Sequence, residues 1–262
     1  MKYLYLLPKN QMSRWMGRLS SLPLPTFLRV RLLGAFGRFF GVDFTEINEP
    51  LHSFRRLQDF FIRELKPGLR VIEEGELVSP CDGAFGQCGQ IDHGVLLQIK
   101  GKSYTLAELL GEHVPEFDNA HYATIYLSPR DYHRFHAPCD AKVVKARYIP
   151  GHLWPVNPWA VKNINKLFCV NERIVCWLDS DTILVAVGAT MVGKVKLKFD
   201  ATLTTNVRKL GVVTREYGAN APALKKGDEL GHFEFGSTVV LVTKKALKDP
   251  LSGTVRLGQN LV

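Results

Sequence analysis

The sequence predicts an α+β protein, with basic N-terminal helices followed by a mostly antiparallel, β-rich domain. Three observations carry this. Apolar residues recur at helical spacing in the first seventy positions. From about Val71 the texture changes to short apolar runs bounded by Gly, Pro, Asp and Asn. Charge divides the same way: the net charge is +9, and residues 1–42 hold seven basic residues and no acid, which leaves the rest at +2. The expected division is therefore a basic helical region at 1–70 and a β-rich domain at 71–262.

Within the first part, Met12, Trp15, Met16 and Leu19 fall at i, i+3, i+4 and i+7, one face of a helix, with Arg14 and Arg18 off that face. Pro23 and Pro25 end this segment. Thr26 is the expected N-cap of a second helix carrying Leu32, Leu33, Phe36, Phe39 and Phe40. A third is expected from Ser53, turning Phe54, Leu57 and Phe61 inward before Lys66-Pro67-Gly68 stops it. Bulky apolar residues interleaved with Lys2, Lys9, Arg14, Arg18, Arg29, Arg31 and Arg38 suit the interface of an anionic bilayer, where apolar side chains enter the acyl boundary and guanidinium heads meet phosphate. Arg14, Trp15, Arg18, Arg29 and Arg31 are the expected membrane-binding residues. No nucleic-acid recognition module accompanies the charge, so nucleic acid is not expected as a partner.

In the second part, strands are expected at 94–99, 122–127, 141–148, 173–178, 182–187, 194–199 and 238–243, with one short helix at 106–110. A composition 46% hydrophobic and 23% charged excludes wholesale disorder, and no stretch approaches eighteen uncharged apolar residues. The run at 3–8 is too short for the apolar stretch of a signal peptide, so no leader is expected. Five cysteines without a C-x-x-C pair read as free thiols in a reducing cytosol.

Three polar clusters stand out: Ser79-Pro80-Cys81-Asp82-Gly83, the segment from Pro129 to Pro138 containing Asp131-Tyr132-His133-Arg134-Phe135-His136, and Glu234-Phe235-Gly236-Ser237-Thr238. Each has an ordinary explanation. Asp82 suits an Asx-turn, His133 and His136 are three apart and serve equally as metal ligands, acid–base groups or loop residues, and Gly-Ser turns are common. Together, Asp, His and Ser are the residue types of a triad in which a base activates a hydroxyl nucleophile.

With these clusters go Phe60-Phe61-Ile62-Arg63-Glu64-Leu65-Lys66-Pro67-Gly68-Leu69-Arg70, Lys100-Gly101-Lys102-Ser103-Tyr104, Leu167-Phe168-Cys169-Val170-Asn171-Glu172-Arg173, Val187-Gly188-Ala189-Thr190-Met191-Val192-Gly193 and Gly231-His232-Phe233. Over nearly its whole length the chain resembles the bacterial-type phosphatidylserine decarboxylases. Phe235 stands where that family usually has Leu and Cys81 where it has Ala, both mild changes.

The resemblance implies a pyruvoyl cofactor made from the chain itself. Ser237 Oγ attacks the carbonyl of Gly236, which as a glycine tolerates strain and close approach. His136 is the implied base and Asp82 its orienting partner. The resulting ester is eliminated by loss of the Ser237 α-proton, and the residue left loses ammonia to become a ketone. The mature protein is then 1–236 paired with 237–262, with 238–242 as a core strand. The ketone captures the amine of phosphatidylserine and accepts the electrons released with carbon dioxide, and His133 assists decarboxylation. The resemblance further implies a homodimer, peripheral on the cytoplasmic face of the cell membrane, and no metal. His121 and His232 receive no chemistry. Two other readings compete: a zinc hydrolase with Asp82, His133 and His136 as ligands, and a non-catalytic lipid-surface protein. Both predict an intact chain.

Overall fold

The computed structural model describes residues 9–99, 101–190, 194–207, 211–234 and 236–262. Lys2, the run at 3–8, Lys100, residues 191–193 and Phe235, all named above, lie outside them. Six α-helices are described: α1 (Lys9–Ser20), α2 (Thr26–Phe40), α3 (Leu57–Phe61), α4 (Leu106–Leu110), α5 (Pro158–Asn163) and α6 (Leu167–Val170). The strands are β1 (Gly83–Gln90), β2 (Val95–Ile99), β3 (Lys102–Thr105), β4 (His121–Leu127), β5 (Arg134–His136), β6 (Ala141–Ile149) and β7 (Arg173–Leu178). They continue as β8 (Thr182–Val187), β9 (Val195–Leu197), β10 (Val213–Glu216), β11 (Ala223–Leu224), β12 (Glu229–Phe233), β13 (Ser237–Thr243) and β14 (Thr254–Val255).

The α+β architecture is the expected one. A nine-stranded sheet runs β10-β6-β7-β8-β13-β4-β1-β14, with β11 also on β6, and its pairings are antiparallel. A three-stranded sheet, β5-β12-β9, and the β2–β3 hairpin complete it. Strands β7, β8 and β13 read Arg-Ile-Val-Cys-Trp-Leu, Thr-Ile-Leu-Val-Ala-Val and Ser-Thr-Val-Val-Leu-Val-Thr, and every residue in them is buried. They are apolar on both faces because the sheet is covered on both. Val240 and Val242 pack with Leu106, Leu109 and Leu110 of α4 on one face. Val239 and Leu241 pack with Phe135, Leu230 and Phe233 of the small sheet on the other. Strand β13 lies between β8 and β4, with Ser237 opposite Leu127 on β4 alone and Thr238–Thr243 paired on both sides.

Two N-terminal expectations are corrected. Thr26 is the first residue of α2, with Pro25 in the cap position and no side-chain cap bond. The third helix starts at Leu57, four residues after Ser53, where the Asp59 carboxylate accepts the Arg56 backbone N–H at 3.1 Å. Helix α1 docks by its polar side. Lys9, Ser13 and Ser20 are buried, the Lys9 ammonium sits 3.7 Å over the Trp154 ring, and Asn10 exchanges 3.0 Å bonds with Gly151 and Leu153. Met12, Trp15 and Leu19 consequently face solvent, Trp15 at 68% exposure. Helix α2 exposes Phe27 and Phe39 at 81% and 82%. No helix among the described residues is long and apolar enough to cross a membrane.

In the small sheet, His136 is registered against Glu229 and Arg134 against His232. Burial alone would raise the Glu229 carboxyl, but His232, Arg134 at 2.9 Å and Lys198 at 3.6 Å outweigh it and hold it down to about 2. A depressed folded value means that the stabilisation is complete above the ordinary carboxylate range and is lost as pH falls from about 4.5 toward 2. Glu229→Gln is expected to cost about 1–3 kcal/mol at pH 7 and to flatten that acid limb, read by urea denaturation between pH 7 and 3.

Candidate active site

The segment Ser128-Pro129-Arg130-Asp131 folds into a turn because Asp131 closes it: its carboxylate accepts the Ser128 N–H and hydroxyl, both at 2.7 Å. Residues 61–63 grip the turn from the helical side. The Phe61 ring stacks on His133 at 4.1 Å, the Ile62 carbonyl accepts Arg134 Nε at 3.0 Å, and Arg63 Nη2 donates to the carbonyls of Arg130 and Asp131 at 2.6 and 3.1 Å. His133 is wholly buried, and neither ring nitrogen makes a well-aligned hydrogen bond, the Ser128 backbone lying near enough only to favour the charged form a little. Burial first and the Arg63 charge second push its pKa well below the usual histidine range, so it is neutral at physiological pH.

His136, in β5, is turned elsewhere. Its Nδ1 lies 2.8 Å from the Gly227 carbonyl and its Nε2 3.3 Å from the Tyr132 hydroxyl. The Nδ1 contact to a carbonyl assigns the proton to Nδ1, which leaves Nε2 as the basic nitrogen. Burial lowers its pKa, and Asp82 acts on it only as a more distant charge that raises it slightly.

Asp82 does not hydrogen-bond to His136. Its carboxylate is held by Arg70, with Nε 3.0 Å from each oxygen and Nη2 at 2.6 Å, and it accepts the Leu257 N–H at 2.8 Å. Arg70 also binds Glu46 at 2.7 Å. Asp82 can lie this close to the sheet because Gly83 follows: a Cβ there would meet the Tyr126 carbonyl oxygen at 2.5 Å. The implied chain from carboxylate to imidazole to hydroxyl is therefore not hydrogen-bonded in this structure. Nor do Asp82, His133 and His136 form a ligand set; among the described residues no three His, Cys, Asp or Glu side chains gather around a possible metal position.

Ser237 opens β13. It is wholly buried, with an unpartnered Oγ, as is the Oγ1 of Thr238. Buried hydroxyls without partners are costly, and such atoms mark places where a structure serves something other than stability. Gly236, just before, is partly exposed and lines an apolar cavity of about 390 Å³ with Phe61, Tyr126 and Pro129, and with Met16, Phe36 and Phe40 from α1 and α2. The expected strain at Gly236 is absent: its φ lies outside the left-handed region, and a Cβ would meet only the Leu127 oxygen at 3.8 Å. Packing does not demand glycine there.

The expected membrane-facing residues divide. Trp15, Arg18 and Arg31 are exposed and Arg14 is half-buried. Arg29 is turned onto the protein, donating to the His52 and Leu24 carbonyls at 3.1 and 3.4 Å. Sequence reasoning gave no part in the site to Arg63, Arg70, Tyr132 or Phe61, the last being read only as an inward-facing helix residue. Their one available signal was position: Phe61, Arg63 and Arg70 lie in the family-like run at 60–70, and Tyr132 lies beside the histidines.

A family model described as phosphatidylserine decarboxylase matches residues 57–262. Curated relatives extend the likeness through the N-terminal helices. A phosphatidylserine decarboxylase proenzyme of Myxococcus xanthus is 45% identical over 249 residues, covering 92% of this chain and 88% of its own length. Proenzymes of the same name from Anaeromyxobacter and Helicobacter pylori are 42% and 38% identical, covering 98% and 96% of this chain and 95% and 96% of their own lengths. An orphaned serine beside an apolar cavity, two buried neutral imidazoles and this breadth of likeness agree: the chain belongs to the phosphatidylserine decarboxylase family, and it is an enzyme.

Proposed function

We propose that the chain decarboxylates phosphatidylserine at a membrane surface, using a pyruvoyl group that it makes from Ser237 by cutting its own Gly236–Ser237 bond. The observation that carries this is the Gly236–Ser237 junction. A buried hydroxyl without a partner follows a glycine that opens into an apolar cavity, and part of the cavity wall comes from helices whose outer sides are bare and apolar. The word proenzyme in the relatives' names supports processing.

In the self-cleavage, Ser237 Oγ adds to the Gly236 carbonyl carbon as a base takes its proton, and the peptide C–N bond breaks in favour of an ester. His136 supplies that base through Nε2 once Tyr132 releases it. Asp82 favours the resulting imidazolium by its charge alone, since its oxygens are occupied by Arg70 and Leu257. Loss of the Ser237 α-proton then expels the Gly236 carboxylate, and water replaces nitrogen as ammonia to leave a ketone. Gly236 keeps the carbonyl unshielded on the cavity side.

When formed, the pyruvoyl ketone supplies an electron sink for the carbon–carbon bond that releases carbon dioxide. Residue 237 suits such a group because it is buried, at a strand end and beside the cavity. Phe61, Tyr126 and Pro129 exclude water there, which favours loss of a carboxylate. His133, held neutral and fixed by Phe61, manages the proton at the substrate α-carbon through a ring nitrogen.

The substrate is a lipid, so the enzyme has to meet a bilayer. Met12, Trp15, Leu19, Phe27 and Phe39 are the side chains offered to it, with Arg14, Arg18 and Arg31 available to phosphate. The partner chains are the enzyme's own 1–236 and 237–262, in a homodimer on the cytoplasmic face.

Four outcomes are expected. Intact-mass measurement of the purified protein gives two chains, the smaller beginning at residue 237 and blocked to N-terminal sequencing. Ser237→Ala stays at full length, and Gly236→Ala folds with stability within about 0.5 kcal/mol of wild type but cleaves more slowly. A split chain in Ser237→Ala overturns the reading. Because burial lowers the His136 pKa, self-cleavage holds its rate as pH falls through 6.5, where an ordinary imidazole is half protonated; a rate that halves at pH 6.5 or above removes His136 as the base. Replacing Trp15, Phe27 and Phe39 together by Ser weakens sedimentation with vesicles of phosphatidylglycerol and phosphatidylcholine at least tenfold, and unchanged sedimentation removes the membrane role.

A further inference from the structure

Helix α1 separates two cavities that both reach the segment before Ser237. On one side Met16 lines the apolar cavity that Gly236 shares. On the other, a groove of about 490 Å³ is lined by Arg14, Arg18, Arg56, Lys194, Lys196 and Glu234. Lys196 is neutralised by Glu234 at 2.6 Å. Among the described residues, Arg14, Arg18, Arg56 and Lys194 have no carboxylate within ion-pair distance. The acid behind the groove, Glu172, accepts bonds from Tyr148 and the Asn206 N–H at 2.6 and 2.7 Å, and its charge and that of Arg14 act on each other, so it offsets part of Arg14. Arg18, Arg56 and Lys194, with Arg14 only partly offset, repel one another around one depression, and an anion in their midst relieves that repulsion. Arg18 also lies 5.7 Å over the Trp15 ring, so the groove adjoins the exposed apolar side of α1. Trp is a residue of membrane–water interfaces. An anion held here would sit at the depth of headgroup phosphates.

We propose that this groove binds the phosphate of an anionic phospholipid in the bilayer, a lipid site separate from the cavity at Gly236. The proposal rests on the membrane-surface reading above and adds to it. Arg56, Lys194 and Lys196 lie outside the basic N-terminal helices, so a general attraction of α1 and α2 to negative membranes does not require them. The anion is bound from two sides, by the helical region and by the segment around β9. Its binding therefore fixes how α1 lies against the residues that lead to the cleavage point.

The test is amine footprinting of the full-length wild-type protein. Lysines are acylated in the presence of phosphatidylcholine vesicles, of phosphatidylcholine vesicles containing phosphatidylglycerol, or of inorganic phosphate at equal phosphate concentration without vesicles, and Lys194 is read by mass spectrometry. The expected result is at least threefold protection of Lys194 by phosphatidylglycerol and none by the other two. In parallel, Arg56→Gln with Lys194→Gln lowers affinity for the phosphatidylglycerol vesicles about tenfold or more, at ~1 kcal/mol per basic residue. Equal protection by phosphatidylcholine overturns anion recognition, and equal protection by inorganic phosphate overturns the lipid as its source. Vesicles that still pellet the protein without protecting Lys194 overturn the groove and leave the membrane reading standing. Failure to pellet with either vesicle overturns both.

Discussion

The placement of β13 governs the rest of this structure. On the proposed reading it is the segment that has to survive a cut at its own first residue, and it sits between β8 and β4 with ladder bonds on both sides and a core on both faces. Chain continuity through Gly236 adds little to its hold, because pairing and burial fix it independently of what precedes it. The end of the 237–262 segment is secured as well: β14 pairs with β1, the Leu257 N–H is accepted by Asp82 at 2.8 Å, and Leu261 donates to the Leu77 carbonyl at 3.0 Å. The fold separates keeping the fragment from keeping the bond.

A second joint links the helical region to the site. Arg70 bridges Glu46, which follows α2, and Asp82, which precedes β1, while residues 61–63 hold the turn that carries His133. The helices are thus part of the wall and clamp of the candidate active site, in addition to being its expected approach to a bilayer. Breaking Arg70 from either carboxylate would leave buried charge uncompensated, so the joint is stiff. It also explains how Asp82 can influence His136 without touching it: its position is set by a cation and a backbone amide, and its charge acts from there.

Much of the sheet was legible because its central strands carry unbroken β-branched and apolar runs; β7 and β8 fall on the expected spans, and β13 begins one residue earlier. Strand β1 was not, since Gly-Ala-Phe-Gly-Gln-Cys-Gly-Gln has Phe85 as its one strong β-former among three glycines and is a strand through its partners β4 and β14. The expected 194–199 strand shrinks to Val195–Leu197. In α1 the helix and its apolar side were readable, and the contacts that hold it down were not. Helical spacing identifies an apolar side but cannot say that Lys9, over Trp154, and Asn10 pull the opposite side inward. At the site, the family resemblance picked out Asp82, His133, His136 and Ser237 where residue types alone left ordinary readings open, yet the fork of Arg70 onto Asp82 and the turn of His136 toward Gly227 depend on contacts between residues 12 and 91 positions apart. Short-range pattern holds no record of them.

The position of Ser237 at the head of an interior strand has a consequence for the lifetime of the enzyme. Most cofactors dissociate, so a spoiled one can be exchanged. Here, on the proposed reading, the reactive ketone is the first residue of a strand flanked by β8 and β4. Removing it would mean pulling the sheet apart. A copy whose ketone has been reduced or trapped by a stray amine is therefore spent, and catalytic capacity is replenished only by the ribosome, one new polypeptide per reactive centre.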